Sequence, residues 1–187
     1  LESEQVYRNP VICQQKEQKE IIYTEEQRTA IQTFSRDYER GLRKTYLLYG
    51  VTGSGKTEVY MEMIAKVLSE GRQAIVLIPE IALTYQTVMR FYTRFGERVS
   101  ILNSRMSQGE RYDQMERVKK GEVDIMIGPR SALFTPFEKL GLIVIDEEHE
   151  PTYKSEQVPR FHARETAIER ARMEGASVVL GSATPSL

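Results

Sequence analysis

The chain has 187 residues, 40% hydrophobic and 28% charged, with a formal net charge of −1 from 26 basic and 27 acidic side chains. That is the composition of a soluble globular domain with a core of ordinary size, and it excludes a globally basic nucleic-acid binder, so any such surface must be local. No apolar run approaches the roughly 18 residues that span a bilayer, LESEQVYRNP has no secretory-signal character, and Cys13 alone builds neither a disulfide nor a thiolate zinc site. A reduced thiol in a cytoplasmic protein is the expectation.

Residues 1–22 show no sustained period, and QQKEQKE from Gln14 is polar. This stretch reads as a linker or arm from an upstream region, and the start at Leu1 as a cut from a longer chain. The folded domain is expected over 23–187. Thr24 and Gln27 form a T-x-x-Q capping box, and Ile31, Phe34 and Tyr38 follow at helical spacing up to Gly41. TYLLY (45–49) predicts a short buried strand. Val59, Met63, Ile64, Val67 and Leu68 mark a helix that stops at Gly71.

AIVLI (74–78) is the next strand, closed by Pro79. Val88, Phe91, Tyr92 and Phe95 give a helix ended by Gly96, and VSIL (99–102) a third strand. Ser107 and Glu110 make a second capping box, whose helix closes at Lys119, Lys120 and Gly121. VDIMI (123–127), LIVI (142–145) and SVVL (177–180) complete the strands, with a helix from about His162 to Glu174 between the last two. Apolar strands alternating with helices predict an α/β domain, a doubly wound and mostly parallel sheet covered on both faces.

GVTGSGKT, Gly50 to Thr57, fits G-x-x-x-x-G-K-[ST] between a strand and a helix. Glycines there let backbone N–H groups turn inward around phosphate oxygens at a helix N-terminus. The pattern predicts a nucleoside triphosphate held by Gly50, Thr52, Gly53, Ser54 and Gly55, with Lys56 on the β- and γ-phosphates and the Thr57 hydroxyl on Mg²⁺. A Gly-rich turn that merely joins strand to helix would not need this full motif.

LIVIDEEHE, Leu142 to Glu150, brings Asp146 to the end of a strand, the edge at which open α/β sheets bind ligands. Asp146 is suited to hold Mg²⁺ opposite Thr57, and Glu147 to orient and deprotonate an attacking water. Glu148 and His149 could instead ligate a transition metal, but His162 is the only other histidine, a thin ligand set. A solvated acidic turn would leave the phosphate loop without its second Mg²⁺ ligand. The hydrolytic reading is the stronger.

DEEH after such a loop, with GSATP downstream, resembles the first motor domain of a superfamily 2 helicase. IPEIALTYQ (78–86), IGPRSALFTPFEKLGLIVIDEEHEPTYK (127–154), PRFHARETAIERA (159–171) and GSATPSL (181–187) narrow this to the primosomal, PriA-type helicases of bacterial replication restart. The resemblance runs from about Ile22 to the last residue. It implies a RecA-like motor lobe of an ATP-dependent 3′→5′ DNA helicase, in the cytoplasm and at the nucleoid. Gln27 becomes a candidate adenine contact, although it also completes a helix cap. Thr84, Arg130 and Ser131 become candidate contacts to single-stranded DNA, and hydroxyls and a guanidinium at strand ends suit phosphate rather than base recognition. His149, Ser182 and Thr184 would couple nucleotide state to DNA grip.

Two positions depart from the family pattern. Asn103 stands where histidine is common, and Pro129 lacks an N–H that could meet a phosphate. The resemblance also implies a second motor domain carrying an arginine to the transition state, a zinc-binding insertion within it, and an N-terminal DNA-binding region, all beyond this chain; no zinc is expected here. Primosome proteins, single-strand-binding protein and forked DNA are the implied partners, and no membrane. The lobe alone is expected to bind Mg-nucleotide and hydrolyse it poorly. RecG-like or UvrB-like translocases are the nearest alternatives, though the DEEH-EPTYK block argues against them. Glu147 beside Asp146, together with the SAT block, argues against a P-loop switch or kinase. Service as a docking surface for primosome partners is compatible with the motor reading.

Overall fold

Thr24 opens the domain as its sequence predicts. Its side chain accepts from the Gln27 N–H, and Gln27 Oε1 accepts from the Thr24 N–H at 2.8 Å, so the capping box is complete in both directions. Such a cap stabilises a helix by about 1 kcal/mol. The computed structural model describes residues 23–49, 55–147 and 162–182. In chain order these form α1 (Glu25–Glu39), β1 (Thr45–Tyr49), α2 (Gly55–Ser69), β2 (Gln73–Leu77), α3 (Tyr85–Phe95), β3 (Val99–Ile101), α4 (Gln108–Lys119), β4 (Ile125–Gly128), β5 (Leu140–Ile145), α5 (Ala163–Glu174) and β6 (Ser177–Ser182). Short 3-10 turns at 80–82, 96–98 and 130–134 follow strands or helices where periodicity gave no signal.

All six strands run parallel, in the order β1-β6-β5-β2-β4-β3. Among the described residues the first strand therefore lies at an edge, and the last inserts between β1 and β5. Alternation of side chains sends Ala74 and Val76 of β2, Leu142 and Val144 of β5 and Val179 of β6 to one face, against Phe34 and Tyr38 of α1, Ile64 of α2 and Phe91 of α3. Ile75, Leu77, Ile143, Ile145, Val178 and Leu180 go to the other, against Val118 of α4 and Ala163, Ala167 and Ala171 of α5. Alanine at every fourth position of α5 leaves a smooth stripe that approaches the sheet closely.

The expectation that TYLLY is buried needs correction. Leu47 is 52% exposed. Its apolar run marks a strand but not a central one, and an edge strand keeps part of one face open. Boundaries moved slightly elsewhere: β5 begins two residues before LIVI, β4 two residues after Val123, and β6 runs on through Gly181 and Ser182. The early start of β5 includes Gly141, next to a register irregularity at Gln73/Ala74. A Cβ there would lie 2.8 Å from both Arg72 Cβ and Val67 Cγ1 and collide with the Tyr38 hydroxyl, so only glycine lets α1 and α2 close over the sheet. Tyr38 donates to the Gly141 carbonyl at 3.1 Å.

Candidate nucleotide and nucleic-acid site

The parallel sheet delivers the C-terminal ends of β1, β5 and β6 to one edge, and α2 starts there with Gly55, Lys56 and Thr57. Gly50, Thr52, Gly53 and Ser54 lie outside the described residues, as do Glu148, His149 and Thr184. The remaining groups converge. Lys56 Nζ is 2.6 Å from Glu147 Oε1 and 3.3 Å from Asp146 Oδ1. Side-chain exposure is 5% for Lys56, 18% for Asp146 and 30% for Glu147, so the ammonium is enclosed while both acids keep an open side.

Neighbouring residues of an extended strand point to opposite faces, so Asp146 and Glu147 could not both reach Lys56 from within β5. The strand ends at Ile145, and Glu147 adopts φ +50°, the one positive φ at a non-glycine residue among those described. That left-handed conformation costs roughly 1–2 kcal/mol, and such strain concentrates at functional sites. It swings the second carboxylate back toward Lys56. The turn is anchored by the Asp146 N–H, which donates to the Leu77 carbonyl at 2.9 Å.

Tyr60 was not singled out from the sequence. It lies one helical turn beyond Lys56 on the same face of α2, which was the available signal. Its hydroxyl donates to Asp146 Oδ1 at 2.8 Å. The ring crosses β6 at Gly181, where a Cβ would stand 2.8 Å from Tyr60 Cζ, 3.2 Å from Asp146 Oδ1, and within the hydroxyl itself. Ser182, the final residue of β6, is fully buried beside this crossing.

Gln27 is half-buried near the start of α1 and spends its carbonyl oxygen on the cap. Just before it, Tyr23 donates to Glu62 Oε1 of α2 at 2.9 Å, and burial raises its hydroxyl pKa to about 12. Two ion pairs tie α2 to α3: Glu58 with Arg90, and Glu62 with Arg94 at 2.8 Å.

Thr84, Arg130 and Ser131 stand at the same C-terminal edge, beyond β2 and β4. Thr84 is exposed and serves as N-cap of α3, accepting from the Thr87 N–H. Arg130 and Ser131, both half-buried, open the turn at 130–134. Pro129 is accommodated because its carbonyl accepts from the Ala132 N–H at 2.9 Å. Asn103 shapes the loop after β3, its Oδ1 accepting from the Arg105 N–H at 3.0 Å. Glu80, also missed in the sequence, accepts from the Ser104 N–H at 2.7 Å and joins that loop to the turn after β2. His162 is the N-cap of α5, its Nδ1 accepting from the Arg164 N–H.

Comparison with known sequences decides the family. The DEAD/DEAH box helicase pattern matches residues 24–186. This chain belongs to that family. It is 50% identical over 185 residues to the replication restart protein PriA of Bacillus subtilis (strain 168), covering 98% of this chain and 23% of that protein. Against PriA of Chlamydia pneumoniae it is 47% identical over 163 residues, covering 87% and 22%. The chain thus spans under a quarter of the length of these curated relatives. Among solved structures, RecG bound to a three-way DNA junction superimposes with a TM-score of 0.68 at 25% identity, over 89% of this chain and 22% of that one. The Hef helicase domain of Pyrococcus furiosus shares the fold, with a TM-score of 0.63 at 18% identity over 87% of this chain and 33% of that one. The six-stranded parallel lobe is therefore a RecA-like helicase motor fold, and nucleotide and Mg²⁺ use are general properties of the family.

Proposed function

We propose that this chain is the ATP-binding motor lobe of a replication-restart DNA helicase, and that Lys56, Asp146 and Glu147 are its hydrolytic centre. The convergence of these three groups on one point of the sheet edge carries the reading. Identity near 50% to two PriA proteins favours replication restart over a RecG-like translocase, whose structure shares 25% identity.

The donors fit Mg²⁺. A carboxylate on Asp146 and a hydroxyl on Thr57 are hard oxygen ligands, and Mg²⁺ takes one or two of these plus substrate phosphates rather than an all-protein cage. When bound, the ion neutralises charge on the phosphates. Gly50 to Gly55 would cradle them with backbone N–H groups, and Lys56 would bind the β- and γ-oxygens. Gln27 would contact adenine by giving up its cap. Glu147 accepts a proton from the attacking water as the O–P bond forms and the bond to the β-phosphate oxygen breaks. His149, Ser182 and Thr184 would relay the change toward Thr84, Arg130 and Ser131, which grip the DNA backbone.

In the full-length protein the reading places a second motor domain opposite this lobe, supplying an arginine worth about 10³–10⁵ in turnover. A zinc-binding insertion, 3′→5′ movement at forks, and contacts with primosome proteins and single-strand-binding protein belong to the same proposal. ATP turnover of the 187-residue chain with and without single-stranded DNA, beside a Mg·ADP titration, tests it. Binding with little turnover is the expected result. Failure to bind nucleotide would remove the assignment.

A further inference from the structure

We propose that Tyr60 is a positioning residue for the Mg²⁺-holding carboxylate, acting through a passage that Gly181 keeps open. This inference rests on the assignment of Asp146 to Mg²⁺.

Three elements distant in sequence build the device. Tyr60 leaves α2 one turn after Lys56, so the helix that grips phosphate also carries the phenol. β6 lies between the strands that precede the phosphate loop and the acidic corner, and it blocks any direct approach from α2 except where a side chain is missing. Gly181 is that gap: a methyl there would overlap the Tyr60 hydroxyl. Through it the phenol donates to Asp146 Oδ1 at 2.8 Å, while its ring is 2% exposed.

A carboxylate has two oxygens, and a donor that fixes one sets the direction of the other. Lys56 also contacts Oδ1, at 3.3 Å. With the ammonium drawn to phosphate, the phenol would still hold Oδ1 and so fix the orientation in which the carboxylate would meet the ion. Outer partners of this type govern metal affinity: their loss typically costs 10- to 100-fold. A tyrosine suits the role because its buried ring is fixed by packing and its hydroxyl is a hydrogen-bond donor.

The test is the Mg²⁺ linkage of ADP binding, the ratio of Kd in EDTA to Kd in excess Mg²⁺, measured calorimetrically on the 187-residue chain. Wild type should show a large ratio and Asp146→Asn a ratio near one. Tyr60→Phe keeps the ring and should lower the ratio by roughly tenfold, with the EDTA affinity unchanged. Gly181→Ala, which displaces the ring, should lower it at least as far, with circular dichroism confirming the fold. A Tyr60→Phe ratio equal to wild type would overturn the proposal, as would equal weakening with and without Mg²⁺, which marks a packing role alone. If Asp146→Asn keeps its linkage, the Mg²⁺ assignment itself fails, a result distinguishable from failure at Tyr60.

Discussion

Lys56 Nζ lies 2.6 Å from Glu147 Oε1, so the proposed phosphate-binding cation and the proposed base hold each other. In the proposed roles, Lys56 turns to phosphate and Glu147 to water, so the two compete with their own pairing. Glu147→Gln removes the competing charge without removing bulk. Nucleotide affinity should stay equal or rise a few-fold, whereas hydrolysis by the full-length protein should fall about 10²–10⁴-fold, the scale of a lost general base. Steady-state turnover beside a fluorescent-nucleotide titration checks both. Retained turnover would dismiss Glu147 as base.

Gly141 seats α1 and α2 against β5. Alanine there forces Tyr38, Arg72 or Val67 to move, and overpacking of this kind costs about 1–3 kcal/mol. For a domain of this size each kcal/mol lowers Tm by roughly 2–4 °C. Thermal unfolding of Gly141→Ala should show a drop of several degrees with nucleotide binding preserved at low temperature.

Asp37 accepts from the Tyr46 hydroxyl at 2.8 Å and from Lys44 at 3.2 Å, and these partners hold its carboxyl below the usual range. A depressed folded pKa stabilises fully above the unfolded value, about 3.9, and that contribution is lost as pH falls through the folded value. The Tm gap between wild type and Asp37→Asn should therefore be widest near neutral pH and shrink on acidification below about 4. A gap independent of pH would assign the stabilisation to packing.

Arg130 at the start of the turn after β4 is proposed to meet a DNA phosphate. Arg130→Ala should weaken single-stranded DNA binding uniformly across sequences. It should also reduce the slope of log K against log salt by about 0.7, with Mg·ADP affinity unchanged. A sequence-dependent loss would instead point to base recognition.

Much of this was legible in the chain because it is local physics. Thr24–Gln27 and Ser107–Glu110 cap their own helices, the apolar periods of 2 and 3.6 mark strands and helices, and the GSGKT run needs only its own strand and helix to be recognised. Type of element, parallel sheet and the Lys56, Asp146 and Glu147 candidates followed from those signals. Position in the sheet did not. An apolar pentapeptide such as TYLLY satisfies an edge or a centre, and only the strand order of the folded sheet, in which β6 is the one described neighbour of β1, makes β1 an edge. Nor could sequence show that Lys56 and Glu147, 91 residues apart, would touch, that Glu147 would turn left-handed to do so, or that Gly181 is the gap Tyr60 needs. Periodicity reports the surface each segment must bury. Which segments share that surface is decided by the free energy of the whole packed sheet.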